Sequence, residues 1–133
     1  MFPSHDRWVG NIFNRAWFEI VETLPNDIIE SVRFWDRAAT KKKKSKFTAG
    51  VKLSKDRNNI FYVEHVMRFK ERPLETKKHI KNIATQDGKK VPIILEQEPG
   101  GSGVYEVDDL TRYLVGFVVI ARTPPSDKVT RAK

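Results

Sequence analysis

The chain has no cysteine in its 133 residues, which excludes a disulfide framework, a thiolate metal site and a cysteine nucleophile. Long apolar runs are also missing: stretches such as residues 91–95 (VPIIL) and 117–121 (FVVIA) last only a handful of residues, far short of a membrane-spanning helix. The start, MFPSHDRWVG, lacks a basic segment leading into an apolar one, so no secretory signal is expected. Histidine is scarce, and His5, His65 and His79 share no metal-ligand spacing. No GxxxxGK[ST] string occurs, which removes the commonest nucleotide-phosphate loop. These absences leave a soluble intracellular protein as the expectation. The length allows one domain that buries roughly two-thirds of its unfolded surface.

What the chain has in excess is positive charge, with 25 Lys+Arg against 17 Asp+Glu and a net charge of +8. The excess is local. Residues 1–40 carry net −2, residues 41–90 net +11 and residues 91–133 net −1. Its centre is Lys41, Lys42, Lys43 and Lys44, with Lys46 following. Four consecutive lysines cannot enter a core, so they mark a loop, and clustered lysines release counterions on meeting a nucleic-acid backbone. A solvated loop without a partner is the plainer alternative.

The apolar pattern predicts the elements in order. Residues 11–24 place Ile12, Phe13, Trp17, Ile20, Val21 and Leu24 at helical spacing, and Pro25 stops that helix. A first strand covers 31–37, with Val32 and Phe34 on one face and Asp36 at its end. Residues 47–53 (FTAGVKL) alternate as a second strand. SKDRNN turns the chain, and 60–69 form a third strand rich in β-branched and aromatic residues. Pro73 opens a helix with Leu74, Ile80, Ile83 and Ala84 inward and Lys77, Lys78 and Lys81 outward. Residues 91–96 read as a short buried strand ending in Glu96. After PGGSG, Ser102 can cap a helix over 103–115 with Val107, Leu110, Tyr113 and Leu114 inward. Gly116 ends that helix, and 117–121 form a fifth strand. The expectation is an α/β fold with a mixed sheet of five strands in the order β-β-β-α-β-α-β, preceded by an N-terminal amphipathic helix. The divisions are 1–29 for that helix and its linker, 30–123 for the core and 124–133 for a flexible basic tail.

Two acids stand out by position. Asp36 and Glu96 each follow apolar residues at a strand end, where a carboxylate is costly unless paired or bound to a cation. If their strands are parallel neighbours, both emerge at one sheet edge, where oxygen ligands suit Mg²⁺ or Mn²⁺. Otherwise they are simply solvent-facing strand ends.

Longer strings carry a resemblance. Val32-Arg33-Phe34-Trp35-Asp36-Arg37-Ala38-Ala39-Thr40 is similar to the opening strand of the nuclease domain of phage terminase large subunits, where an aromatic-W-D-x-A-A-T pattern is typical. Asn11-Ile12-Phe13, Trp17 to Val21 and Pro25 resemble the segment that joins that family's ATPase to its nuclease. Thr48-Ala49-Gly50-Val51-Lys52-Leu53, then Ile94 to Gly100 with Gly103, resemble its second and fourth strands. Asp127-Lys128-Val129-Thr130-Arg131-Ala132 resembles its GDKxxRA stretch. The matches are collinear over nearly the whole chain.

The resemblance implies a ribonuclease H-like fold and two-metal hydrolysis of double-stranded DNA during packaging in a bacterial host's cytoplasm. Asp36 and Glu96 would be the catalytic metal ligands, with Mg or Mn as cofactor, two ions in an active enzyme. Lys41, Lys42, Lys43, Lys44, Lys46, Lys77, Lys78, Lys81, Lys128 and Arg131 would lie along DNA. Other terminase subunits and the portal are the implied protein partners. The family's third acid falls on a helix well beyond the fifth strand, past Lys133, so a truncated nuclease is expected. The alternative is a catalytically inactive DNA-binding module or prophage remnant that lacks the third acid.

Overall fold

A computed structural model describes residues 21–37 and 47–123. Five strands and two helices follow one another: β1 (Ile28–Asp36), β2 (Thr48–Asp56), β3 (Phe61–Phe69), α1 (Pro73–Asp87), β4 (Ile93–Glu96), α2 (Gly101–Tyr113) and β5 (Val119–Arg122). The sheet order is β3-β2-β1-β4-β5. The first three strands pair as antiparallel neighbours, and β1–β4 and β4–β5 pair in parallel. The α/β class and the element order are therefore as expected. The N-terminal helix was expected to run to Leu24, but residues 21–24 are non-helical and Val21 and Leu24 are exposed. The rest of that prediction, residues 11–20, lies outside the described residues, as do the lysine loop and the 124–133 tail.

The core lies on one face of the sheet. Ile80 and Ala84 of α1 and Val107, Leu110 and Leu114 from α2 and its C-cap pack with Trp35, Ile93 and Leu95 from β1 and β4. Trp35 is fully buried, with its ring edge-on to Phe69 at 6.1 Å between centroids. It sits opposite Gly50 on β2. A Cβ on Gly50 would lie 2.5 Å from Cζ3 of the indole, so only glycine leaves room for the ring.

Val32 and Phe34 share one face of β1 as expected, and the face beneath the helices carries Arg33 and Trp35. The strand is apolar on both sides, as strands with parallel partners are, so alternation alone could not choose. The register puts Val32, Phe34, Val51, Leu53, Val66 and Ile94 together on the opposite face, with Ile120 beside them on β5. No helix among the described residues lies on that side.

Both helices keep the predicted stripes with one change each. Leu74 is exposed, and Thr76, Ile80 and Ala84 form the buried line of α1. The second helix starts at Gly101 with Gly100 at its N-cap and no side-chain cap bond, so Ser102 lies inside the first turn instead of capping it. Gly103 is buried against the preceding loop, where a Cβ would collide with the Glu98 carbonyl. Gly116 follows the helix with φ of 96°, a conformation glycine adopts without strain.

Candidate functional site

The parallel pairing of β1 with β4 determines where the two strand-end acids meet. Its last paired residues are Trp35 and Leu95, so Asp36 and Glu96 come one step later on adjoining strands. Neighbouring strands run about 4.8 Å apart, and both residues share a face with Phe34 and Ile94. Asp36 is half-buried and Glu96 only 4% exposed. Arg122, the last residue of β5, pairs with Glu96 in register, and the Gln97 N–H donates to the Arg122 carbonyl at 2.8 Å. Three strands thus end together at the predicted edge.

Arg37 is the residue that sequence reasoning missed. Its Nη2 donates to the Glu96 carbonyl at 3.0 Å, and its Nη1 lies 3.8 Å from Glu106 Oε1 on α2. It therefore ties the end of β1 to the end of β4 and reaches the helix beyond. Burial lowers the pKa of this guanidinium, while Glu106, Glu98, Asp36 and Glu96 all act to raise it. Arginine stays protonated regardless. Four carboxylates thus lie close enough to act on this one guanidinium. The signal that could have found Arg37 was its place directly after the strand-end acid.

The donor set of Asp36 and Glu96 is all oxygen, which suits a hard divalent cation. Among the described residues no group of three or more His, Cys, Asp and Glu is arranged to hold a metal ion. The fit to a metal is therefore that of two carboxylates. Glu98, in the turn after β4, is exposed.

The α1 lysines share the edge but are not equally available. Since β3 runs the same way as β1, α1 begins at the Asp36 end of the sheet. Lys77 pairs with Asp109 on α2 at 3.0 Å, and Lys77 and Lys81 stand over the Tyr113 ring at 4.6 and 4.9 Å. Lys78 is exposed. Arg37 and Phe47, which bracket residues 38–46, sit at this edge, so the lysine loop is joined to it at both ends. The loop itself, with Lys41, Lys42, Lys43, Lys44 and Lys46, lies outside the described residues, as do Lys128 and Arg131.

A second polar cluster lies under α1 toward the other end of the sheet. Arg33, 3% exposed, makes two 2.8 Å bonds to the Asp87 carboxylate. Its Nη1 lies 2.9 Å from His65 Nδ1. Lys52 reaches Glu64 at 3.0 Å and Asp87 at 3.8 Å, and Ser54 donates to Glu64 at 2.5 Å. Burial pushes the Glu64 pKa up, but the bonds from Ser54 and Lys52 outweigh it and hold the carboxyl below its ordinary value. His65 belongs to this network. His79 lies 2.7 Å from Glu71 with its ring against Phe69.

Comparison with protein-family models, curated proteins and solved structures finds no match to the chain. Among the described residues no helix is long and apolar enough to cross a membrane.

Proposed function

We propose that this chain is a ribonuclease H-like nuclease core of the kind found in phage terminase large subunits, acting on double-stranded DNA in the cytoplasm of a bacterial host. The observation that carries the reading is the meeting of Asp36 and Glu96 at adjoining ends of parallel strands. It is supported by the sheet order β3-β2-β1-β4-β5 and by the collinear strings around both acids. Asp36 and Glu96 would hold Mg²⁺ or Mn²⁺. When bound, such ions stabilise the charge that develops on the attacking and leaving oxygens of a phosphodiester. The chain's own residues do the rest. Arg37 holds the ends of β1 and β4 together through the Glu96 carbonyl, so the two carboxylates keep their spacing. Lys78 and the lysines of the 38–46 loop, tethered at the same edge, meet DNA phosphates. Terminase and portal subunits are the protein partners this reading implies.

A second reading is a DNA-binding module without catalysis. The two-carboxylate donor set favours it, since no third acid joins them among the described residues. Incubation with supercoiled plasmid and Mn²⁺ separates the two. The nuclease reading expects nicking that disappears in Asp36→Asn and in Glu96→Gln. Binding that weakens steeply with salt, with no cutting by the parent protein, would establish the module instead.

A further inference from the structure

The strand register draws one row of residues across the sheet at its Asp36 end. Arg68 on β3 pairs with Ala49 on β2, Ala49 pairs with Asp36 on β1, and Glu96 on β4 pairs with Arg122 on β5. Asp36 and Glu96 each come one step after the Trp35–Leu95 pair, so the row runs Arg68, Ala49, Asp36, Glu96, Arg122 on one face. Its middle is closed in, with Ala49 and Glu96 buried and Asp36 half-buried, and its two ends are exposed arginines. Neither arginine was expected from the sequence to lie along DNA.

We propose that Arg68 and Arg122 grip the DNA backbone on either side of the phosphodiester at Asp36 and Glu96. The inference rests on the nuclease reading above for where that bond lies. Three observations carry it. The charges are available: among the described residues neither arginine joins an ion pair, whereas the exposed Arg112 sits 2.6 Å from Asp108. Arg68 is also held in place. Its guanidinium lies 4.6 Å from the centroid of the Phe47 ring, and Phe47 stands two residues before Ala49, on the same face and at the same edge as Asp36. The spacing suits a duplex. Neighbouring strands run about 4.8 Å apart, so the two arginines stand about 19 Å apart, roughly half of the 34 Å length of one duplex turn. Contacts at that separation fall on phosphates to either side of a bond at the acids. Two carboxylates repel an approaching polyanion, and a cation at each end of the row offsets that repulsion. Arginine's planar fork can take two phosphate oxygens at once.

Binding of a fluorescein-labelled duplex of about 20 base pairs tests this in the full chain, read by anisotropy from about 50 to 200 mM NaCl without divalent ions. Each phosphate contact adds about 0.9 to the slope of log K against log salt, so Arg68→Gln and Arg122→Gln should each flatten it by that much and the double variant by about 1.8. Arg68→Lys should keep the parent slope, because a point charge still displaces a counterion. Arg57→Gln removes the same charge from the exposed β2–β3 turn at the opposite end of the sheet, and it should leave the slope unchanged. Equal flattening in Arg57→Gln would overturn the proposal by showing a general effect of net charge. A parent slope in both Arg68→Gln and Arg122→Gln would overturn it too, as would a parent protein that binds no duplex at about 50 mM NaCl. The nuclease reading fails separately: if the parent cuts no plasmid in Mn²⁺ while both arginine effects hold, these contacts stand on a module without catalysis.

Discussion

Two arginines stand four residues apart, Arg33 buried within β1 and Arg37 half-buried just past its end, and their electrostatic surroundings differ. Arg33 is matched: two 2.8 Å bonds fix it to Asp87, and Lys52 and Glu64 complete a set of two cations and two carboxylates. Arg37 is held differently: it donates a 3.0 Å bond to a backbone carbonyl, Glu106 lies 3.8 Å away, and Glu98, Asp36 and Glu96 also act on it. A balanced buried cluster holds elements in place and has no residual field for a ligand. A group of carboxylates gathered at strand ends offers oxygen ligands to a hard cation. The two ends of the strand thus differ: the Arg33 end fastens α1 to the sheet, and the Arg37 end gathers the acids of the candidate site.

The largest expected effect comes from breaking the matched cluster. Asp87→Ala leaves Arg33 buried without its bidentate partner, and urea unfolding should show a loss of about 3–5 kcal/mol. Acid should act on the same region. The Glu64 carboxyl is held below its ordinary pKa by Ser54 and Lys52 against the opposing effect of burial. The Asp56 carboxyl is held low chiefly by the Ile60 N–H, and further by the Tyr62 hydroxyl and Asn58 N–H. A group with a depressed folded pKa contributes stability above its unfolded pKa and loses it as pH falls through the folded one. Thermal midpoints should therefore fall between roughly pH 5 and pH 2, and less steeply in Glu64→Gln. The smallest effect on folding should come from the other arginine. Arg37→Met removes one hydrogen bond to a carbonyl and should cost only about 1 kcal/mol, because it relieves a partly exposed site and orphans no buried ion pair. A loss equal to that of Asp87→Ala would erase the distinction drawn between the two ends.

Much of this was legible in the chain itself. Pro73 opens the first helix as expected, because a proline at the first helical position is a local signal. Strand ends carrying Asp36 and Glu96 could be read from apolar runs closing on an acid, while their parallel pairing stood only as a condition until the sheet order was known. Three things were hidden. The covered side of β1 could not be read because Val32, Phe34 and Trp35 are all apolar, and the deciding partner, Gly50, is distant in sequence. The Arg33–Asp87 pair joins residues 54 positions apart, beyond any local pattern. Arg37 was not singled out because Glu106, which helps surround it, is supplied by a later helix.

The central claim is that the Arg37 end of the sheet accepts a divalent cation through Asp36 and Glu96. Calorimetric titration of the full chain with Mn²⁺ tests it without requiring any DNA cleavage. The account predicts saturable binding that is lost in Asp36→Asn and in Glu96→Gln and kept in Asp109→Asn, whose carboxylate pairs with Lys77 on the helix face. No heat of binding at millimolar Mn²⁺, or binding indifferent to both acids, would contradict it.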